Sequence, residues 1–300
     1  MMHIRSVFRY NKWVSERNRE GVMEGKVSGP DGFFTYLVNA TDPETGRGWT
    51  AEEIWAESSV LVVAGKLQRK NDGQPPLTVD QIGADTIVTG ISGTLFYLLQ
   101  NPEEMDRVTR EVRSVFSDVE DIKSSVSLSS CRYLMACVEE TLRMTPPAPL
   151  LPPRRVLHGG LKIDGHYLPP GTIVGTPIYA IHHNPDYFDD PFAYKPSRWL
   201  PEANTEDATR LYKSALCTYS KGPRSCIGRS QAQLQIPLTL ARLLFLYDAR
   251  ITPGTHLGEG DPKSKVWGRH RKGEYQTRDW FTAEREGPSV QFRLAKYLGS

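Results

Sequence analysis

Long apolar runs are missing from this sequence: the densest, Val60 to Ala64, falls far short of the roughly 20 apolar residues that a membrane-spanning helix takes. The opening residues, MMHIRSVFRYNKW, mix cationic and aromatic side chains without the apolar stretch of a secretory leader. Neither bilayer insertion nor export is expected. Cysteine is scarce as well. Cys131, Cys137, Cys217 and Cys226 are irregularly spaced and form no C-x-x-C pair, which argues against a structural zinc or redox site and for reduced thiols facing a cytosol. No sign of charge dominates, since 37 Lys and Arg oppose 35 Asp and Glu for a net charge of +2. Without a long Lys/Arg block a nucleic-acid partner is not expected, and a small-molecule partner is the better reading. Internal repeats and an alternating strand-helix-strand pattern are absent too, which removes doubly wound sheets.

What is present is the composition of a globular protein, 39% hydrophobic and 24% charged, patterned mostly for helices. Thr50 and Glu53 form a capping box ahead of AEEIWAESSVLVVAG, which is apolar at helical spacing. The polar stretch KLQRKNDGQPPLTVDQIG interrupts that pattern before ADTIVTGISGTLFYLLQ resumes it. Asn101-Pro102-Glu103-Glu104 supplies an N-cap, a proline at the first helical position and acids in the first turn, predicting an amphipathic helix over PEEMDRVTREVRSVF. Another helix is expected from about Cys131 to Met144, halted by Pro146 and Pro147. Five prolines from Pro146 to Pro153 then set an extended conformation, and turns at HGG, Asp164-Gly165 and Pro170-Gly171 punctuate the short strands of a small sheet. RSQAQLQIPLTLARLLFLYD reads as a long final helix and SVQFRLA as a strand. The expected class is α+β, mostly α.

One segment carries specific chemistry: Tyr219-Ser-Lys-Gly222-Pro-Arg224-Ser-Cys226-Ile-Gly228, a cysteine in a glycine-punctuated loop directly before an apolar helix. A thiolate that binds metal must be deprotonated, and the amino end of the following helix favours the negative charge. Gly222 and Gly228 leave the backbone on both sides of the cysteine free of side chains. A lone cysteine is most often inert packing, so the surrounding pattern decides. Glu140 and Arg143, three apart, share a helical face; such a pair is most often a solvated contact worth under about 1 kcal/mol. Asp85-Thr86 by itself reads as a helix cap. The run from Pro149 to Pro152 and the adjacent His182 and His183 read as structural.

These segments, in this order, resemble the cytochrome P-450 family. The cysteine loop matches F-x-x-G-x-R-x-C-x-G with Tyr219 in place of Phe. Glu140-Thr-Leu-Arg143 resembles E-x-x-R, and Pro196-Ser197-Arg198-Trp199 resembles P-x-R-[FW] with Ser197 where glutamate is common. Ala64-Gly65 joined to Ala84-Asp85-Thr86 is similar to A-G-x-D-T. The resemblance implies a partial P-450 fold and haem b whose iron is held by Cys226. Arg224 would pair with a propionate, and Arg154 or Arg155 is either a second propionate partner or an ordinary strand-edge arginine. The resemblance further implies a Glu140, Arg143, Arg198 network beneath the haem that fixes the loop of Cys226. Thr86 would hydrogen-bond dioxygen and Asp85 would relay protons. The implied activity is insertion of one oxygen atom of O2 into a small organic substrate, with electrons from a reductase.

The resemblance covers about residues 50 to 292. Residues 1–49 read as a remnant of a preceding helical region and 50–300 as the haem-binding carboxy-terminal portion. Within it, 66–83 are expected to be an insert, a hypothesised translated intron, whose removal rejoins one apolar helix. Full-length members sit on the cytoplasmic face of the endoplasmic reticulum through an amino-terminal anchor; this chain lacks that part and is expected in the cytosol. Two other roles stay open, a catalytically inactive haem-binding fragment and a non-catalytic interaction fragment.

Overall fold

The computed structural model describes Thr41, residues 46–48, Thr50, and residues 82–149, 152–279 and 282–295. The helices expected before residue 82, and residues 66–81 of the expected insert, lie outside them. The chain divides between Ala84 and Asp85 into two compact units. In the first, the described residues include an antiparallel bridge between Thr41 and Gly48. The described residues form seven α-helices: α1 (Ile82–Gln100), α2 (Pro102–Val115), α3 (Val126–Ser130), α4 (Arg132–Met144), α5 (Ile178–His182), α6 (Glu206–Ala215) and α7 (Arg229–Leu246). None is long and apolar enough to cross a membrane.

Helices α2, α4 and α7 build the main core. Val108 and Val112 of α2 meet Leu134, Cys137 and Val138 of α4 and Leu240, Ala241 and Leu244 of α7. Burial of each of these valine and leucine side chains contributes about 1.5–3 kcal/mol before chain entropy is counted. Helix α1 joins this core through a small residue: a Cβ at Gly90 would lie 2.7 Å from Ile236 Cδ1 and 3.6 Å from Leu142 Cδ2. Glycine there lets α1 close on α7 and α4 together.

The junction of α1 and α2 differs from the expected cap. Pro102 does take the first helical position, where a missing N–H costs nothing. The Asn101 side chain, however, donates backward to the Tyr97 carbonyl at 2.7 Å, closing α1. In the first turn of α2 the amides of Glu104 and Met105 bond to the Asn101 carbonyl, each at 3.1 Å.

Strands form antiparallel two-stranded ladders: β1 (Arg154–Arg155) with β4 (Ile173–Val174), β2 (Leu161–Ile163) with β3 (His166–Leu168), β5 (Tyr247–Ile251) with β8 (Val290–Leu294), and β6 (Thr277–Asp279) with β7 (Ala283–Arg285). The small sheet expected after the proline run is therefore two ladders. Asp164 and Gly165, at φ 47 and 83, make a tight hairpin turn that pairs β2 and β3 with each other, and β1 pairs further along the chain. Helix α7 stops at Leu246, two residues earlier than expected, because Tyr247 and Asp248 pair with β8.

Candidate functional site

The Glu140 carboxylate, fully buried, is the centre of a dense polar cluster. On α4, three residues place Arg143 on its own face, and the guanidinium makes a two-pronged contact: Nε to Oε2 at 2.9 Å and Nη2 to Oε1 at 2.8 Å. The 3-10 turn Pro196–Trp199 brings two more donors, Arg198 Nε to Oε1 at 3.2 Å and Trp199 Nε1 to Oε2 at 3.0 Å. The Lys195 amide adds a fifth at 3.0 Å. Two buried cations on one carboxylate would be unfavourable alone. Carbonyls complete the balance: Arg143 Nη1 donates to those of His182 and Pro191 at 2.7 and 2.8 Å, and Arg198 Nη2 to that of Asp190 at 3.0 Å. Arg198 also pairs with Asp189. The Tyr212 hydroxyl first, and Arg198 after it, hold the Asp189 carboxyl down to about 2.

From this cluster hydrogen bonds lead to the cysteine loop. The His182 ring, fully buried, has Nδ1 at 2.9 Å from the Arg143 carbonyl and Nε2 at 2.9 Å from the Cys217 amide. An amide can only donate, so Nε2 is the acceptor and Nδ1–H the donor. Burial pulls His182 down to about 3, so the ring stays neutral. Next along the chain, Thr218 Oγ1 donates to the Leu142 carbonyl at 2.9 Å.

Cys226 follows in an exposed loop. Its amide donates to the Tyr219 carbonyl at 2.8 Å, and the Ser225 amide to the Gly222 carbonyl at 3.0 Å. Gly222, at φ 77, occupies a left-handed conformation that a side chain would strain. Gly228 is the N-cap of α7, and a Cβ there would stand 3.9 Å from the Cys226 sulfur. Arg224 lies in the same exposed loop, and Ile227 beside the cysteine is 67% exposed. The other three cysteines are buried. Tyr219 is partly buried, with the Arg229 guanidinium 5.5 Å from its ring centroid.

Asp85 sits inside the first turn of α1 rather than at its cap. Its carboxylate is 3.7 Å from the Arg285 guanidinium of β7, whose Nη1 donates to Thr89 Oγ1 at 2.9 Å. Thr86 is the next residue of the same turn. Arg154 and Arg155 are both exposed on β1; consecutive strand residues face opposite sides, so one of the two can serve a given ligand. The Arg154 guanidinium donates to the Pro153 carbonyl at 3.1 Å.

Trp199 and Asp189 bond within this cluster and His182 adjoins it through Arg143; none of the three is marked as such by the sequence. Trp199 comes nearest to a signal, standing inside the P-x-R-W element. His182 offered none beyond its neighbour His183, whose surroundings differ. That ring lies between Tyr179 and Phe192, at 4.0 and 5.0 Å, and its buried Nε2 has no partner among the described residues. Burial pulls His183 down from 6.5 to about 4. Unfolding therefore takes up a proton between those values, and the stability present above pH 6.5 is lost as pH falls, by about 1.4 kcal/mol per pH unit. His183→Phe keeps the stack, and the Tyr179 carbonyl keeps its backbone bond at 3.0 Å. The expected result is a shallower loss of stability between pH 6.5 and 4, read from urea midpoints; an unchanged slope would show that His183 is not held neutral.

Comparison with known proteins places this geometry among relatives. The cytochrome P450 family model matches residues 82–275. The chain is 39% identical over 295 residues to cytochrome P450 monooxygenase AKT7 of Alternaria alternata, covering 97% of this chain and 53% of that protein. It is 40% identical over 293 residues to apf7 of Gibberella fujikuroi, covering 96% and 50%. With apf8 of the same organism it shares 37% over 279 residues, covering 91% and 69%. The chain thus spans about half the length of the first two relatives. The crystal structure of the cytochrome P450DA heme domain superposes with a TM-score of 0.65 at 21% identity, covering 95% of this chain and 54% of that one. At that identity the likeness speaks to the fold alone.

Proposed function

The chain belongs to the cytochrome P450 family, and from that premise we propose that it is the haem-binding portion of a haem-thiolate monooxygenase with Cys226 as the iron ligand. The family's cofactor is a haem iron. The observation that carries the assignment is that Cys226, unlike the buried Cys131, Cys137 and Cys217, is an exposed thiol. It sits in the loop to which the Glu140 cluster is tied by hydrogen bonds.

The residues present fit the cofactor. A thiol that is exposed, flanked by Gly222 and Gly228 and next to the exposed apolar Ile227 offers a soft ligand on a surface that a macrocycle can cover. Arg224 and one of Arg154 and Arg155 supply cations for the propionates. Haem held there would supply the activation of O2, one atom entering the substrate and the other leaving as water with two electrons and two protons, and electron donation from the Cys226 thiolate would favour O–O cleavage. The electrons come from a reductase, and the substrate is a small organic molecule.

The remaining work falls to the protein. The Glu140, Arg143, Arg198 cluster holds the loop of Cys226 in register. Asp85, its side chain 34% exposed at the edge of α1, moves protons inward from solvent, and Thr86 holds the hydrogen bond at the oxygen-binding position. Asp85→Asn is expected to lower the rate of product formation by roughly 100-fold, within the usual range for general-acid catalysis, while haem content stays constant. An unchanged rate would remove Asp85 from the mechanism.

The reading is tested by haem titration. A red-shifted Soret band of the reduced carbon monoxide complex, followed by O2-dependent product formation with a reductase, supports it. Thiolate-type binding without turnover would make the chain an inactive haem-binding portion. No haem uptake would overturn the assignment and leave an interaction role.

A further inference from the structure

His182 occupies a position that neither the cysteine loop nor the E-x-x-R element explains. It joins Arg143 in both directions: the Arg143 guanidinium donates to the His182 carbonyl at 2.7 Å, and the His182 ring donates to the Arg143 carbonyl at 2.9 Å. The other ring nitrogen accepts from the Cys217 amide at 2.9 Å. Cys217 opens a turn closed by the Ser220 amide on its carbonyl at 2.8 Å, with Ser220 at φ 58. One residue before that Ser220, the Tyr219 carbonyl receives the Cys226 amide. A displacement of Cys217 is therefore passed to Cys226 through two backbone hydrogen bonds.

We infer that His182 is a positioning residue that transmits the alignment of α4 to the loop carrying Cys226. The inference rests on the reading of Cys226 as the iron ligand. The geometry requires an imidazole. Only a ring with a donor on one nitrogen and an acceptor on the other spans the Arg143 carbonyl and the Cys217 amide. Asparagine has the length to reach Arg143 but leaves the Cys217 amide without an acceptor. Phenylalanine fills the space and loses both bonds. Neither removes any member of the Glu140 cluster.

The test compares His182→Phe and His182→Asn with Phe188→Leu. Phe188 is a buried neighbour whose ring lies 6.3 Å from that of His182 and 5.1 Å from the Arg143 guanidinium; replacing it by leucine loosens the packing around the relay while leaving each of its hydrogen bonds in place. Two quantities are read: amide hydrogen exchange at Cys217 and Cys226 in the haem-free chain, and the rate at which the haem-loaded chain loses its thiolate-type carbon monoxide spectrum. A buried amide left without an acceptor is costly enough that both should accelerate about tenfold in the two His182 variants. Phe188→Leu should lower the unfolding midpoint with little effect on either. The inference is overturned if the His182 variants match the wild type, or if Phe188→Leu at equal loss of stability accelerates both alike. If His182→Phe does not fold, His182→Asn decides by the same readings. If the wild type shows no thiolate-type spectrum, the reading of Cys226 has failed, and amide exchange at Cys217 and Cys226 still decides the role of His182.

Discussion

Glu140→Ala should cost about 3–5 kcal/mol of stability and prevent haem incorporation, because removing one partner of a buried ion pair leaves uncompensated charge. Here two charges are stranded. Arg143 loses both prongs of its contact and Arg198 loses the one buried carboxylate it meets among the described residues, since its other acidic partner there, Asp189, is 60% exposed. The Trp199 indole and the Lys195 amide lose their acceptor as well. Glu140→Gln keeps the shape, but its amide nitrogen would point a donor at a guanidinium, so rescue should be slight. Arg198→Ala alone should cost less, because the Arg143 pair with Glu140 remains. The double variant Glu140→Ala/Arg198→Ala should then be less destabilised than the sum of the singles, by about 1–3 kcal/mol. Urea unfolding of the three variants measures this. Additive losses would mean that the carboxylate and the two guanidinium groups do not act as a unit.

The parts of this account that were legible in the sequence are those written locally. Asn101-Pro102 located the start of α2 to the residue, because proline's preference for the first turn depends only on its neighbours. The use of the Asn101 side chain was not legible: whether it caps forward or closes the helix behind it depends on where α1 stops. The pairing of Glu140 with Arg143 could be read from their spacing on a helix, whereas their burial could not, since an i,i+3 pair looks the same on a solvated face. His182 was passed over because both of its partners are main-chain groups at residues 143 and 217, and a backbone acceptor leaves no mark in a sequence. The contact of Arg285 with Asp85 and Thr89 of α1 likewise joins residues about 200 positions apart with no motif between them.

Cys226→Ser should abolish thiolate ligation of iron while leaving the fold almost unchanged. Cys226 is exposed, so losing its packing should stay within about 0.5 kcal/mol. A serine hydroxyl does not give up its proton as a thiol does, and it is a harder, poorer donor to iron. None of the other cysteines can take over. Burial pushes the Cys131 thiol up to about 11, drives Cys137 higher still and raises Cys217, and all three are packed out of reach of a cofactor. The decisive measurement is the absorption spectrum of the reduced carbon monoxide complex of the haem-loaded chain, recorded for the wild type, Cys226→Ser, Cys131→Ala, Cys137→Ala and Cys217→Ala. The account predicts a red-shifted Soret band in every protein except Cys226→Ser; retention of that band in Cys226→Ser, or its loss in a folded variant of any other cysteine, would contradict it.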